Sequence, residues 1–270
     1  MSERSGYQAG VPCWVDTWQP DAEAAVAFYT QLFGWEAEET TSPDSSSRYF
    51  MCRLRGRDVA AIGSPSPEGA QPVWGTYVWV EDVEQTAAKA TGAGGSVVME
   101  PFDSLDGGRV AVVADPAGAA LGVWRPGSHQ GAQIVSEPSA WSMSALNTRD
   151  LSGAERFYGA VLGWETETFA FGEAEITLWR VPGFVGGEPG QPVPRDVVAT
   201  MLPMTGDSAE DMAPHWSIDF WVDDTDETAA KAAELGGSVL VPPYGLPGFR
   251  QAELADPRGA HFSVSRMTAG

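Results

Sequence analysis

Phe28-Tyr-Thr-Gln-Leu-Phe-Gly-Trp-Glu-Ala-Glu38 recurs 129 positions later as Phe157-Tyr-Gly-Ala-Val-Leu-Gly-Trp-Glu-Thr-Glu167, with six identities in eleven positions. The first copy closes a predicted helix that Asp21 caps at its start and Gly34 ends. A whole helix end with its flanking residues is therefore present twice in the chain, which indicates duplication of a larger unit.

Two further segments repeat in the same order. Ala87–Val98 matches Ala229–Leu240 at eight of twelve positions, and Ala114-Asp-Pro-Ala-Gly-Ala119 returns with one change at Ala255–Ala260. The repeats predict a tandem protein with a first domain over 8–126, a linker rich in Gly, Pro and Ser over 127–138, and a second domain over 139–267.

The second half carries an insertion. The offset between the repeats grows from 129 to 142, and the extra residues fall at Pro182–Arg195, where the first half has only the turn Arg55–Asp58. A loop of this length is either a flexible excursion or a lid over a site, with Phe184 at its tip.

Composition excludes several classes of protein. The 16 basic and 37 acidic residues leave a formal charge of −21, which disfavours nucleic acid, since phosphate binding depends on clustered Lys and Arg. No apolar stretch reaches the ~18 residues of a membrane helix, and the N-terminus lacks a hydrophobic signal core. Cys13 and Cys52 make neither a disulfide framework nor a cysteine zinc site. We expect a cytoplasmic protein, monomeric or homodimeric.

Each half repeats the pattern strand, helix and then several short strands twice, so the chain contains four βαβββ units. With the Phe-Tyr-x-x-Leu/Phe-Gly-Trp helix end and the Asp-Pro-x-Gly hairpin, this order resembles the vicinal oxygen chelate superfamily of glyoxalase I, bleomycin-resistance proteins and extradiol dioxygenases. It is most similar to the two-domain actinobacterial members labelled glyoxalase-like or hydroxylase. The resemblance implies an α+β fold in which the four units form two curved mixed sheets with helices outside.

The resemblance also implies where metal ligands would stand, on strands that line the concave face of each sheet. Counting along the chain puts six residues at those positions: Trp14, Gly75 and Gly122 in the first half, and Met143, Ser217 and Ser263 in the second. Side chains of these types do not bind Zn²⁺, Ni²⁺, Mg²⁺ or Fe²⁺. We therefore expect no metal and no other cofactor, and the donor set argues against metal-dependent glyoxalase or dioxygenase activity.

Two histidines remain of chemical interest. His215 and His261 each stand two residues before a ligand-equivalent position, on strands that are neighbours in this fold, so alternation turns both toward one concave face. They could hydrogen-bond a ligand, act as acid and base, or hold a metal. The alternative is structural, with His215 capping its strand and His261 forming part of a polar wall.

Aromatic residues are the other feature of the concave faces. Trp14, Asp16 and Trp18 alternate on one strand and predict an aromatic surface on which a flat ring or a cation stacks, unless the indoles only fill a core. Met143, Ala145 and Asn147 take the same places in the second half. The predicted ligand-binding residues are Trp14, Asp16, Trp18, Tyr49, Met51, Trp79, Trp124, Met143, Asn147, Trp179, Phe184, Trp221 and His261.

We therefore predict a metal-independent binding protein for an aromatic natural product, which the acidic composition also allows to be cationic. Such a protein would sequester a small hydrophobic or aromatic ligand for self-resistance or assist a biosynthetic enzyme. The rival is a metal-free tailoring enzyme, a lyase, isomerase or hydroxylase-like protein acting on a polyketide through Asp16, His215 or His261.

Overall fold

The computed structural model describes residues 3–42, 45–65, 71–104, 107–171, 174–186, 194–205 and 212–268. Among these, each half contributes eight strands and two helices. The first half contains β1 (Pro12–Trp18), α1 (Ala22–Phe33), β2 (Glu36–Glu39), β3 (Arg48–Leu54), β4 (Arg57–Ser64), β5 (Trp74–Trp79), α2 (Val83–Gly92), β6 (Ser96–Asp103), β7 (Arg109–Ala114) and β8 (Ala120–Arg125).

The second half repeats this order. It contains β9 (Trp141–Thr148), α3 (Leu151–Leu162), β10 (Glu165–Phe171), β11 (Ala174–Arg180), β12 (Val197–Pro203), β13 (His215–Trp221), α4 (Thr225–Glu234), β14 (Ser238–Leu246), β15 (Phe249–Ala255) and β16 (His261–Met267). The predicted βαβββ unit is therefore present four times.

Each half builds its own open sheet of eight strands. The order is β2-β3-β4-β1-β5-β8-β7-β6 in the first and β10-β11-β12-β9-β13-β16-β15-β14 in the second. Two pairs in each sheet are parallel, β1 with β4 and β5 with β8 in the first, and the neighbouring pairs are antiparallel. The sheets are therefore mixed, and the predicted α+β class is confirmed.

The repeated helix end behaves as its sequence predicts. The Asp21 side chain accepts the amide N–H of Ala24 at 3.1 Å at the start of α1, and Gly34 ends the helix with φ 73°. In the second half, Asp150 and Gly163 (φ 71°) do the same for α3. A carboxylate satisfies an orphan amide at each start, and only glycine adopts the left-handed end without steric cost.

The helices lie outside the concave faces, on the convex sides of the sheets, and each has one buried side and one exposed side. Helix α1 packs between the first sheet and the second half, where the rings of Phe33 and Phe220 are 4.8 Å apart and those of Phe28 and Phe262 are 6.4 Å apart. Helix α2 of the first half packs in the equivalent way against α3 of the second half. The convex faces of the two halves thus bury each other's helices.

The segment predicted as a linker is partly buried and anchored to the first half. The amide of Ala132 donates to the carbonyl of Cys13 at 2.8 Å, that of Gln133 donates to the carbonyl of Asp58 at 2.7 Å, and Ile134 is fully buried. The hydroxyl of Tyr7 donates to the carbonyl of Ala132 at 2.6 Å. This segment is therefore a strap across one end of the first sheet.

Within the described ranges, no helix has the length and apolar character that crossing a membrane requires.

Candidate ligand sites on the two concave faces

The register of the first sheet places Trp14, Asp16 and Trp18 on its concave face. Asp16 is level with Gly75 of β5, and Trp14 is level with Tyr77. Residues that pair across adjacent strands point to the same side of a sheet, so one face carries all of them. The predicted alternation along β1 is confirmed.

Asp16 lies under a layer of aromatic rings. The hydroxyls of Tyr49 and Tyr77 donate to its Oδ2 at 3.1 and 3.2 Å, and the residue is only 4% exposed. Burial raises the pKa of Asp16 to about 7, against the opposing effect of hydrogen bonds from Tyr77, Tyr49 and Trp18. Removal of water disfavours the charged carboxylate, so this group changes protonation near neutral pH.

Two glycines leave room for aromatic rings on this face. A Cβ on Gly122 would stand 2.2 Å from the Tyr77 ring, and one on Gly63 would stand 2.9 Å from the Trp18 indole. Gly122 is one of the positions at which the family resemblance implies a metal ligand. Here its lack of a side chain instead lets an aromatic ring lie flat on the sheet.

A residue outside the predicted set occupies the first concave face. His129, from the strap, lies between Trp14, whose ring it meets edge-on at 4.4 Å, and Trp124, on which it stacks at 5.4 Å. Its Nε2 is 3.5 Å from Oδ2 of Asp58. This histidine is absent from the predicted set, because its position in a linker rich in Gly, Pro and Ser carries no periodicity that would assign it to a face.

The second concave face differs from the first in being partly exposed along its central strands. Register pairs Met143 with Asp219, Ala145 with Ser217 and Asn147 with His215 on strands β9 and β13. These residues all retain partial solvent exposure. The amide of Asn147 donates to the hydroxyl of Ser217 at 2.9 Å. This face is therefore a polar, accessible surface, whereas Trp14, Asp16 and Trp124 of the first face are almost completely buried.

Asp219 is the functional candidate that sequence reasoning missed. The Ser142 hydroxyl donates to its Oδ2 at 2.6 Å, the Ser265 hydroxyl donates to the same oxygen, and the Gln251 amide donates to Oδ1 at 3.4 Å. Burial raises its pKa to about 6, although these three bonds act in the opposite direction. The alternation of His215, Ser217, Asp219 and Trp221 along one strand was the available signal.

The two predicted histidines share the second concave face. His215 is level with Asn147, and His261 stands two residues before Ser263, which is level with Asp219. The Nδ1 of His215 lies 2.9 Å from the carbonyl oxygen of Ala213, so a loop carbonyl orients this ring. His261 is exposed at the end of its strand.

One predicted ligand residue lies on the wrong side of its sheet. Trp179 is level with Ala199 and is fully buried against α3, with its ring 5.6 Å from that of Tyr158 and 5.5 Å from that of Trp164. The prediction that it faces the second concave surface is wrong. Its equivalent in the first half is Cys52, since Arg180 pairs with Glu165 as Arg53 pairs with Glu36, and Cys52 is likewise fully buried.

The remaining predicted residues are placed as follows. On the first face, Trp79 is level with Trp124, and Met51 is level with Ala61. Trp221 is level with Ser265 on the second face. Phe184 lies beneath the guanidinium of Arg4, 5.9 Å from its ring centre, and packs against the interior core. Residues 187–193 of the predicted lid lie outside the described residues.

The side chains do not fit a metal ion of the kind that the fold family implies. Trp14, Gly75 and Gly122 on one face offer no imidazole, carboxylate or thiolate. Their counterparts on the other face are thioether and hydroxyl groups. In the part of the chain that the structure describes, no three His, Cys, Asp or Glu residues come together as a metal site.

Comparison with known proteins gives the same assignment as the fold. Residues 14–123 match the model of the Glyoxalase/Bleomycin resistance protein/Dioxygenase superfamily, and residues 143–265 match that of a Glyoxalase-like domain. The protein CFP32 of Mycobacterium tuberculosis (strain CDC 1551 / Oshkosh), provisionally named a glyoxylase, is 39% identical over 98% of this chain and 97% of its own.

The anthracycline biosynthesis protein DnrV of Streptomyces peucetius is 34% identical over 98% of this chain and 96% of its own. Among solved structures, the Mn(II)-bound glyoxalase of Novosphingobium aromaticivorans superimposes with a TM-score of 0.63 at 17% identity, over 96% of this chain and 82% of that one. This last similarity concerns the fold alone. The chain belongs to the glyoxalase/bleomycin resistance protein/dioxygenase superfamily and carries two tandem domains of it.

Proposed function

We propose that the chain binds a flat, polyhydroxylated aromatic natural product on its second concave face, without a bound metal. The observation that carries this proposal is the surface around Asp219, where a desolvated carboxylate stands among partly exposed apolar and polar side chains. Sites for small molecules combine an apolar wall with a few convergent polar groups in this way.

The neighbours of Asp219 supply the contacts for such a ligand. Met143 is level with it on the adjacent strand, and Trp221 stands two residues further along β13 on the same side. A thioether and an indole at that spacing offer an apolar surface for a planar ring system. A phenolic hydroxyl of the ligand would then donate to the Asp219 carboxylate, and Asn147 would contact its far edge.

The ligand class follows from the relatives rather than from geometry. The relatives DnrV and DauV are named for anthracycline biosynthesis. We infer by analogy a polycyclic aromatic ligand for this chain, held for sequestration or presented to a biosynthetic enzyme. The formal charge of −21 favours a cationic form of such a ligand over an anionic one.

Metal independence rests on the donor set at the ligand-equivalent positions. Met143, Ser217 and Ser263 cannot replace the imidazole and carboxylate ligands of a catalytic metal. A binding site that uses hydrogen bonds and stacking needs no such ligands.

Native mass spectrometry and a binding titration test this proposal together. Untagged protein purified without added metal is expected to have the mass of the polypeptide, with or without an organic adduct. Quenching of tryptophan fluorescence by 1,8-dihydroxyanthraquinone is expected, with affinity roughly tenfold lower in Asp219→Asn and in Trp221→Ala. Asp16→Asn, which changes a buried carboxylate on the other face, is the matched control and should bind as the wild type does.

Two results would overturn the proposal. One is a single tightly held metal ion per chain, and the other is an affinity that neither second-face variant changes. Conversion of the ligand during the titration would favour the metal-free tailoring enzyme. In that case Asp219, whose pKa of about 6 suits a general base at neutral pH, is the first residue to substitute.

A further inference from the structure

The first concave face contains a complete aromatic site with an occupant from the same chain. The imidazole of His129 stacks on the Trp124 indole with ring centres 5.4 Å apart and planes 25° apart, and its centre is 4.4 Å from that of the Trp14 indole, at an interplanar angle of 77°. The His129 side chain is 15% exposed. A small flat ring thus already lies between two indoles and stacks on the electron-rich face of Trp124, which attracts a cation.

A carboxylate completes the site beneath the imidazole. Oδ2 of Asp58 lies 3.5 Å from Nε2 of His129, within ion-pair distance but outside hydrogen-bonding geometry. Although burial acts to raise the pKa of Asp58, the neighbouring His129 and Arg53 hold it below its usual range. Asp58 therefore stays ionised, and a negative charge faces the ring.

Two buried polar atoms of this site lack the hydrogen bonds that buried groups normally make. The indole N–H of Trp124, in a residue that is only 4% exposed, has no acceptor among the described residues, and Nε2 of His129 has no hydrogen-bonding partner there. Such groups are rare in folded proteins, because each costs free energy. The unpaired atoms show that the imidazole leaves part of the polar lining of this site without a hydrogen bond.

The His129 side chain belongs to the strap, which is anchored to the first half by contacts that do not involve this side chain. The strap is fixed by the bonds of Ala132 to Cys13 and to Tyr7 and by burial of Ile134, none of which involves the imidazole. Removal of the His129 ring therefore leaves the strap anchored and the space between the indoles empty.

We propose that the first concave face is a second ligand site, specific for a small flat aromatic cation, and that the side chain of His129 occupies it as an internal ligand. An external cation enters when the imidazole is removed or when the strap lifts. This site is separate from the one around Asp219 and does not depend on that proposal.

The test removes the occupant and supplies it from solution. At pH 6, His129→Ala is expected to bind imidazole, which is largely protonated at that pH, with a dissociation constant on the order of 1 mM, read from tryptophan fluorescence. Pyrazole, a neutral ring of the same size, should bind roughly tenfold more weakly. The wild type and His261→Ala should bind imidazole at least about tenfold more weakly than His129→Ala does, because a cation must first displace the His129 side chain in both.

The role of the carboxylate is tested by adding Asp58→Asn to His129→Ala, which should abolish the preference for imidazole over pyrazole. A folded His129→Ala that binds neither ring, or binds both equally, would overturn the proposal.

A second measurement on the wild type covers the case in which His129→Ala does not fold. N-methylpyridinium should accelerate hydrogen exchange of the amides of Ala132 and Gln133, because the strap must lift to admit it, and neutral pyridine at pH 8 should not. Unchanged exchange at saturating cation would contradict the proposal.

Discussion

The hydroxyl of Tyr29 donates a hydrogen bond to Oδ2 of Asp256 at 3.0 Å, although the two residues are 227 positions apart in different halves of the chain. The equivalent pair, Tyr158 and Asp115, is joined at 3.2 Å. Each tyrosine hydroxyl also accepts an indole N–H at 2.9 Å. The tyrosine of the repeated Phe-Tyr motif in each half therefore bonds to the aspartate of the repeated Asp-Pro turn in the other half. The two motifs thus hold the halves together.

The two tyrosines are expected to differ in their contribution to stability. Tyr29→Phe should lower the free energy of unfolding by about 1–2 kcal/mol, since Gln19 still donates to Oδ2 of Asp256 at 2.8 Å. Tyr158→Phe should cost about 2–3 kcal/mol, because Oδ2 of Asp115 keeps no such second donor among the described residues. Urea unfolding measures both, and a larger loss for Tyr29→Phe would contradict this account.

The shared core predicts that neither half folds alone. Phe28 and Phe33 of the first half pack against Phe262 and Phe220 of the second, so separation exposes a large aromatic surface on each. Fragments 1–138 and 139–270 are expected to lack cooperative thermal unfolding when each is expressed alone. Co-expression should give a 1:1 complex that unfolds cooperatively. Sharp transitions for both isolated fragments would show that the joint is dispensable.

Asp16 predicts a pH dependence of stability. Its pKa is raised to about 7 in the folded protein, against about 3.9 in an unfolded chain. Between those values the folded state holds a proton that the unfolded state releases, so the free energy of unfolding falls as pH rises. Asp16→Asn removes this contribution, and its stability relative to the wild type should rise by about 2–4 kcal/mol from pH 4 to pH 7.

Denaturant titrations at several pH values would measure that difference. Asp219→Asn serves as a comparison, because the pKa of the Asp219 carboxyl is raised to about 6. Its stability relative to the wild type should also rise with pH, and that rise should be complete about one pH unit earlier than for Asp16→Asn. A difference between Asp16→Asn and wild type that does not vary with pH would show that the Asp16 carboxyl titrates normally.

Substitution of alanine for the two glycines under the aromatic rings should lower stability by unequal amounts. Gly122→Ala places a Cβ 2.2 Å from the ring of Tyr77, which is held by its bond to Asp16, and should cost about 2–3 kcal/mol. Gly63→Ala meets only Trp18, which is 37% exposed and can turn away, and should cost less than about 1 kcal/mol. Thermal unfolding of the two variants compares them, and equal losses would contradict the packing described.

The local features of the fold were predictable from the sequence. The caps at Asp21 and Asp150, the left-handed ends at Gly34 and Gly163 and the alternation of Trp14, Asp16 and Trp18 depend on neighbours within a few residues. The internal repeat extends these local predictions to a whole architecture, because a unit that is recognised once can be located again. The same repeat gives the side of Trp179, whose face was predicted wrongly, because its equivalent Cys52 is buried on the side of β3 opposite Met51.

The sequence by itself determined the four repeated units, the cap residues and the residue types at the ligand-equivalent positions, since each of these is a property of short segments. Only the tertiary structure decided that Tyr29 meets Asp256, that His129 fills the first concave face and that Asp219 stands at the centre of the second. Alternation along a strand states which residues share a side, but long-range packing decides which strands meet and what lies opposite them.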